Sequence, residues 1–357
     1  MKRILLFLLI SFFSVKAFSQ GCVAIKGGAG GVSNMNFHDL DTTKWELNMN
    51  SRYFVSYKHY SGTIHNISRE TLGTNVINHT SQTDFTLIHK INARWSYIID
   101  LPLVSNTRSS LYEHNNVGRY QTNSFGLGDI RIAAFAYLMN PTKLPHYNLQ
   151  VGLGIKLPSG NDNVQDYFHV TDSTVRLGPV DQSIQLGDGG TGITLELNGY
   201  WVLAHNLNAY ANFYYLANPQ DVNGVSTAHG GAPSASAIKN TSDVMSVPDQ
   251  YMVRGGLNWG LGNFTLSGGV RREAIPIHDF IGKSDGFRRP GFIVSAEPGI
   301  SYTKKRISLY VFAPIALIRD RTQSVPDAIT TQLTKVFTRG DAAFADYLIN
   351  AGISLKL

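Results

Sequence analysis

Tyr347-Leu348-Ile349-Asn350-Ala351-Gly352-Ile353-Ser354-Leu355-Lys356-Leu357 alternates without a break. Tyr347, Ile349, Ala351, Ile353, Leu355 and Leu357 fall on one face, and Leu348, Asn350, Gly352, Ser354 and Lys356 on the other. Successive side chains of a strand point to opposite sides, so this period of two reads as a strand with one apolar and one small or polar face. A sheet with lipid on one side and water on the other needs that pattern. One such strand also fits a soluble sandwich, so the decision rests on the strands before it.

Taken in order, the sequence predicts eleven more. They run near 44–60, 83–91, 93–104, 129–139, 147–157, 191–203, from 207, 250–259, 264–272, 292–302 and 307–317. Their connections alternate long and short throughout. A barrel of the bacterial outer membrane has an even strand number, short periplasmic turns and longer extracellular loops. A Greek-key sandwich has no reason to sort its loops in this way.

Two further patterns agree. All four tryptophans of the chain, Trp45, Trp95, Trp201 and Trp259, fall on the apolar face at the short-turn ends, joined by Tyr147, Phe264 and Tyr302. Tyr57, Phe85, Phe213, Tyr251, Phe292 and Tyr347 lie nearer the opposite rim, giving the two aromatic girdles that flank a lipid-facing band. A Lys or Arg facing lipid at mid-depth costs about 2–4 kcal/mol. None occurs in the middle of an apolar face, and the exceptions, His89 and Arg272, come close to a rim. The predicted fold is therefore a transmembrane, antiparallel up-and-down β-barrel of 12 strands.

The start of the sequence is compatible. Lys2 and Arg3 precede an apolar run, Ile4 to Val15, and Ala17-Phe18-Ser19 supplies small residues at a cleavage point. This predicts a signal peptide over 1–19, its apolar run too short for a spanning helix of roughly 20 residues. A Gly-rich arm or partial plug over 20–43 and a barrel over 44–357 would follow. The single cysteine, Cys22, excludes an internal disulfide; its neighbours Ser19-Gln20-Gly21 lack the aliphatic residue of a lipoprotein signal. The formal charge of +6 falls to +3 without Lys2, Arg3 and Lys16, and the remaining basic residues are scattered, so no nucleic-acid partner is indicated.

The inward faces carry the candidate permeation residues Arg52, Lys58, Lys90, Arg94, Arg131, Lys156, Glu196, Arg254, Arg271 and Glu297, among further charges and Tyr200, Tyr210, Tyr214 and Tyr310. Cationic groups predominate. The arrangement fits a path for anionic or polar aromatic solutes, and equally charge ladders that fill a closed lumen. Gly187-Asp188-Gly189-Gly190-Thr191-Gly192 precedes a strand and not a helix, which reads as a flexible strand entry instead of a phosphate loop. His79-Thr80-Ser81, placed in a surface loop, is the minimum for an outer-membrane hydrolase, without a third member. The histidines show no metal-ligand repeat, and no cofactor is expected.

Gly126-Leu127-Gly128-Asp129-Ile130-Arg131, Gly154-Ile155-Lys156-Leu157-Pro158-Ser159-Gly160 and Gly190-Thr191-Gly192, in that order, resemble the outer-membrane barrel family named after the meta-pathway of phenol degradation. That family stands near the long-chain fatty-acid and aromatic-hydrocarbon channels. The resemblance implies transport of small molecules across the outer membrane and supplies no binding residues. The expectation is a Gram-negative outer-membrane channel, surrounded by lipid, passing small polar, anionic or aromatic solutes by diffusion. An outer-membrane lipid hydrolase and a structural or adhesive barrel are the alternatives, and the oligomeric state is open.

Overall fold

The computed structural model describes residues 43–357; the expected signal peptide, Gly-rich arm and Cys22 lie outside the described residues. Twelve antiparallel staves form the wall. They are β1 (Trp45–Ser61), β2 (Ile77–Lys90), β3 (Trp95–Ser110), β4 (Tyr120–Leu127 and Arg131–Tyr137), β5 (Tyr147–Lys156) and β6 (Gly192–Ala204). The wall continues with β7 (Leu207–Ala217), β8 (Gln250–Leu261), β9 (Phe264–Ile275) and β10 (Gly291–Lys304). It ends with β11 (Ile307–Phe312 and Ile315–Asp320) and β12 (Ala342–Ala345 and Ile349–Lys356). Each pairs with its sequence neighbours, and β12 returns to β1 with Glu46 opposite Lys356 and Tyr53 opposite Ile349, so the cylinder is closed. Ser354 hydrogen-bonds Glu46 inside this seam, and the Leu357 amide donates to the Trp45 carbonyl at 2.9 Å.

Closure satisfies every strand edge, which is what lets a sheet stand in hydrocarbon. No helix is long and apolar enough to cross a membrane among the described residues. Alternation puts Leu47, Met49, Leu101, Leu153, Leu195 and Leu257 outward and exposed, and Asn48, Asn50, Asp84, Asp100, Asn198 and Arg254 inward and buried. Trp45, Trp95, Trp201 and Trp259 are all exposed on the outside at the short-turn end. Three of the turns there are only two residues long, and in two of them Gly262 (φ 64°) and Lys305 (φ 56°) supply a left-handed backbone.

Inside, three glycines make room for rings on the neighbouring strand. A Cβ on Gly152, Gly299 or Gly352 would sit 2.1–2.3 Å from Phe135, Phe312 or Tyr310. Each ring covers the glycine opposite it, so a narrow barrel has room for large side chains at these levels.

The structure extends several strands beyond their expected ends. β2 starts at Ile77, β3 runs on to Ser110, and β4 has an upper piece, Tyr120–Leu127, where a loop was expected. The extensions of β2 and β3 rise toward the long loops with polar residues on both faces and carry no apolar alternation, and the upper piece of β4 has only Phe125 and Leu127 on its outer face to mark it. The terminal strand is interrupted at 346–348: Leu348 is fully buried and its amide donates to the Pro314 carbonyl at 3.1 Å. Pro314, which has no amide to offer a neighbour, divides β11 at the same level. The facing read from the alternation survives the break, with Tyr347 and Ile349 out and Asn350 in.

The long loops are ordered and fold across the barrel mouth. They contain a hairpin (Gln165–His169 with Val175–Pro179), a second strand pair (Val222–Ser226 with Val244–Ser246) and a helix, Val325–Thr334. That helix starts with a capping box between Ser324 and Asp327 and carries a proline in its first turn. Beneath it, Tyr60, Ile293, Ala316, Ala342 and Phe344 form an apolar core at the loop end.

Candidate functional site: the lumen and the cavity beneath its loops

Two layers of inward side chains fill the cylinder below a cavity. Nearest the short turns is a layer of amides. Asn212 donates to Asn198 at 3.0 Å and Asn198 to Gln150 at 3.2 Å, while Asn258 links Asn208 and Ser267 at 3.0 and 2.7 Å. Tyr310 donates to Asn48 at 3.0 Å, and Lys90 stands 3.9 Å from Glu46. The amide bonds cross from one stave to the next, and the Tyr310 hydroxyl reaches Asn48 on β1 across the glycine, Gly352, of the intervening β12.

The second layer is ionic. Arg254 and Arg271 approach the same oxygen of Glu297 at 3.3 and 3.4 Å, Arg271 also pairs with Glu273 at 2.6 Å, and Arg254 donates to Asn212 at 3.0 Å. The side chains of Arg254 and Glu297 have 0% exposure. Around the wall, Arg131 pairs with Glu196 and stands 3.9 Å from Asp100, which accepts from Thr86 at 2.6 Å. Arg52 is buried in the same belt, near Asp84. Charges so enclosed are tenable only when paired, because desolvating an isolated one costs several kcal/mol.

Above this layer lies a cavity of about 100 Å³, roofed by loop residues. Its floor carries Asp100, Arg131 and Tyr214, its walls Val104, Lys156 and Leu216, and its roof Leu186, Asp188, Met245, Arg288 and Arg289. The roof is tied down by charge. Arg289 makes a two-pronged pair with Asp181 (2.7 and 3.0 Å), Arg288 one with Asp279 (2.6 and 2.7 Å), and Arg108 bridges Glu113 (2.5 Å) and Asp181 (3.5 Å). Burial alone would raise the Asp181 carboxyl; the guanidinium groups of Arg108 and Arg289 and a hydrogen bond from Ser183 instead hold it well below the usual carboxylate range.

The three sequence motifs of the resemblance converge on the cavity wall. Asp129 accepts the Gly160 amide at 3.0 Å and the Asp188 amide at 3.2 Å. Ser159 donates to the Gly128 carbonyl at 3.1 Å and accepts the Ile130 amide at 2.8 Å. The Lys156 ammonium lies between Asp129, at 3.4 Å, and Asp188. A Cβ on Gly187 would come within 2.5 Å of the Gly160 carbonyl, so the two loops touch only because both positions are glycine. Gly187-Asp188-Gly189-Gly190 is thus a clasp between a loop and the barrel wall, where the sequence suggested a merely flexible strand entry.

Of the ten candidate lumen residues, Arg52, Arg131, Lys156, Glu196, Arg254, Arg271 and Glu297 are buried inside. Lys90 lies at the short-turn end beside Glu46. Lys58 sits at a bulge near the loop end, where it pairs with Asp346 at 3.0 Å. Arg94 departs from the expectation: it belongs to the short turn before β3, is exposed, and donates to the carbonyls of Tyr137 and Leu138 at 2.7 and 3.1 Å. A turn residue has no inward face, and the free carbonyls at the end of β4 capture its guanidinium. His79 and Ser81 lie in β2 and not in a loop, both on the outer face, and His79 Nδ1 hydrogen-bonds the Tyr53 hydroxyl at 3.1 Å. Sequence reasoning missed the roof residues Asp181, Asp188, Arg288 and Arg289, whose pairing spans up to 108 positions. No group of His, Cys, Asp and Glu suited to a metal ion occurs among the described residues.

No family model matches the sequence, and no curated protein is significantly similar to it. Among solved structures, the fold is similar to that of an outer-membrane channel from Pseudomonas putida F1, with a TM-score of 0.60 and 10% identity over 92% of this chain and 99% of that one. Weaker likenesses are to the CymD monoaromatic hydrocarbon channel (TM-score 0.45, 9% identity, 95% and 98% covered) and to a FadL homologue of Pseudomonas aeruginosa (0.43, 9%, 96% and 99%). At these identities the likeness is one of fold.

Proposed function

We propose that this chain is an outer-membrane channel that admits small polar, anionic or aromatic solutes by passive diffusion. The observation that carries this reading is a closed cylinder with an apolar exterior, a charged interior and a polar-walled cavity directly under its long loops. A structural scaffold needs the first of these and not the last. The resemblance of its motifs to a family of outer-membrane transporters, and the fold shared with the Pseudomonas putida channel, support the same reading. In this proposal the short turns face the periplasm, the four tryptophans form the inner girdle, and residues 1–19 are removed during export.

The ionic layer fills the bore, so passage requires its side chains to part. This observation favours a second reading, a structural barrel with a closed lumen. Purified full-length protein in planar bilayers decides between them: discrete conductance steps, with solute uptake in liposome swelling, are expected of the channel. A silent bilayer together with liposomes impermeable to every solute would leave the scaffold.

A further inference from the structure

Four cations line the cavity: Arg131, Lys156, Arg288 and Arg289. Arg288 and Arg289 are each held by a two-pronged guanidinium–carboxylate pair, the strongest geometry available to them, and Arg131 is committed to Glu196 deep in the ionic layer. Lys156 differs. Its ammonium is a single-point donor shared by two carboxylates, so this local group carries one negative charge in excess. One of the two, Asp129, is fixed by backbone amides of Gly160 and Asp188. The other, Asp188, belongs to the roof loop and retains 20% side-chain exposure, so it returns to water at small desolvation cost.

Beside Lys156 the cavity is apolar: Val104, Leu186, Leu216 and Met245 face it. Gln250, nine-tenths buried, also lines it, and its side-chain oxygen has no hydrogen-bond partner. A carboxylate and an apolar surface therefore already stand where a ligand's head and body would. Size adds a constraint. An apolar cavity of about 150 Å³ accommodates benzene, whereas this one offers about 100 Å³. A ring-sized body fits only if the roof moves, and the roof loop that carries Asp188 has left-handed Gly189 (φ 82°) immediately after it.

The geometry points to Asp188 as a built-in competitor that occupies the head-group position of a small monocarboxylate. This inference rests on the channel reading and narrows it: the solute has one carboxylate and a compact apolar body. Its carboxylate exchanges with Asp188 on the Lys156 ammonium, a swap that leaves the charge count unchanged. The freed Gly187–Gly190 segment then gives the body room among the apolar walls. Entry and roof opening are one event.

The test is calorimetric titration of the detergent-solubilised full-length protein with benzoate as the probe, and with benzamide and benzylamine as controls for the head group. Asp188→Asn is expected to bind benzoate about tenfold tighter or better, because the competitor is gone while the ammonium stays. Lys156→Met and the charge-balanced pair Lys156→Met/Asp188→Asn are expected to lose at least about tenfold, with benzamide and benzylamine weak throughout. Heat-modifiable electrophoretic migration checks that each variant is folded; the double variant carries the test if Lys156→Met alone does not fold. Unchanged or weaker benzoate binding in Asp188→Asn, or undiminished binding in the double variant, would overturn the assignment. Benzoate binding with the expected pattern in a protein that never conducts would reject passage and leave the head-group site standing. Conductance with no response of benzoate to Asp188→Asn would do the reverse.

Discussion

Replacing Glu297 by Gln tests the ionic layer most directly. Arg254, Arg271, Glu273 and Glu297 form a neutral group of two cations and two anions, with Glu297 touching both guanidinium groups at 3.3 and 3.4 Å. The substitution leaves the shape nearly intact and one positive charge in excess at a position with no exposure. Breaking a buried pair on one side costs about 3–5 kcal/mol, since the surviving charge is left uncompensated. Arg254→Met should cost a similar amount with the opposite residual charge. The double variant Arg254→Met/Glu297→Gln leaves Arg271 paired with Glu273 and restores neutrality, so it should be more stable than either single variant. Urea unfolding in lipid vesicles, followed by tryptophan emission, measures all three. Singles that each cost less than about 1 kcal/mol, the range of solvent-exposed pairs, with simple additivity in the double, would show that the layer is wet and does not close the bore.

On the exterior, Leu197→Arg places a guanidinium at the middle of the outward face of β6 and should cost about 2–4 kcal/mol in the same unfolding assay; no loss would mean that face does not meet hydrocarbon. Because Trp45, Trp95, Trp201 and Trp259 are all the tryptophans of the chain and lie at one end, emission should be quenched by lipids brominated near the headgroup more than by lipids brominated at the chain ends. At the mouth, His114 stacks on Phe168 at 5.4 Å between centroids, accepts the His169 amide at 3.1 Å, and lies near Tyr120 and His229. Burial pushes its pKa down, joined by the neighbouring imidazoles and opposed by Glu113 and Asp166. A depressed folded-state pKa gives stability that is whole above the unfolded value of about 6.5 and is lost as pH falls below it. Loop segments 112–120 and 165–179 should therefore open to limited proteolysis at pH 5 and resist it at pH 8, and His114→Gln should weaken that dependence.

Strand number, the outward face and the inward charges were legible because each apolar residue of a lipid-facing stave repeats at every second position. The signal fades where the wall leaves the apolar band. In Asn78-His79-Thr80-Ser81-Gln82 and Asn106-Thr107-Arg108-Ser109-Ser110 both faces are polar, so period two is present in the backbone and invisible in hydropathy. The roof was illegible for another reason. Asp181 meets Arg289 and Asp188 meets Lys156 through loop folding that no local spacing encodes. Arg94 escapes the pattern because the alternation ends at Trp95 and the residue before it belongs to a turn. The glycine motifs were visible as sequence, but their purpose, bringing Gly160 against Gly187, depends on two backbones meeting across 27 positions.

The seam between the first and twelfth staves joins the two ends of the described wall. Trp45, the Glu46 carboxylate and the whole edge of β1 wait for partners that lie roughly three hundred positions away and are the last of the described wall to be made. Without Ile349–Lys356 the neighbouring edges of β1 and β11 have no partner, and an unpaired edge is a template for pairing with another copy. The final eight-residue strand piece is therefore the closure of the whole wall, and its removal opens two edges at once.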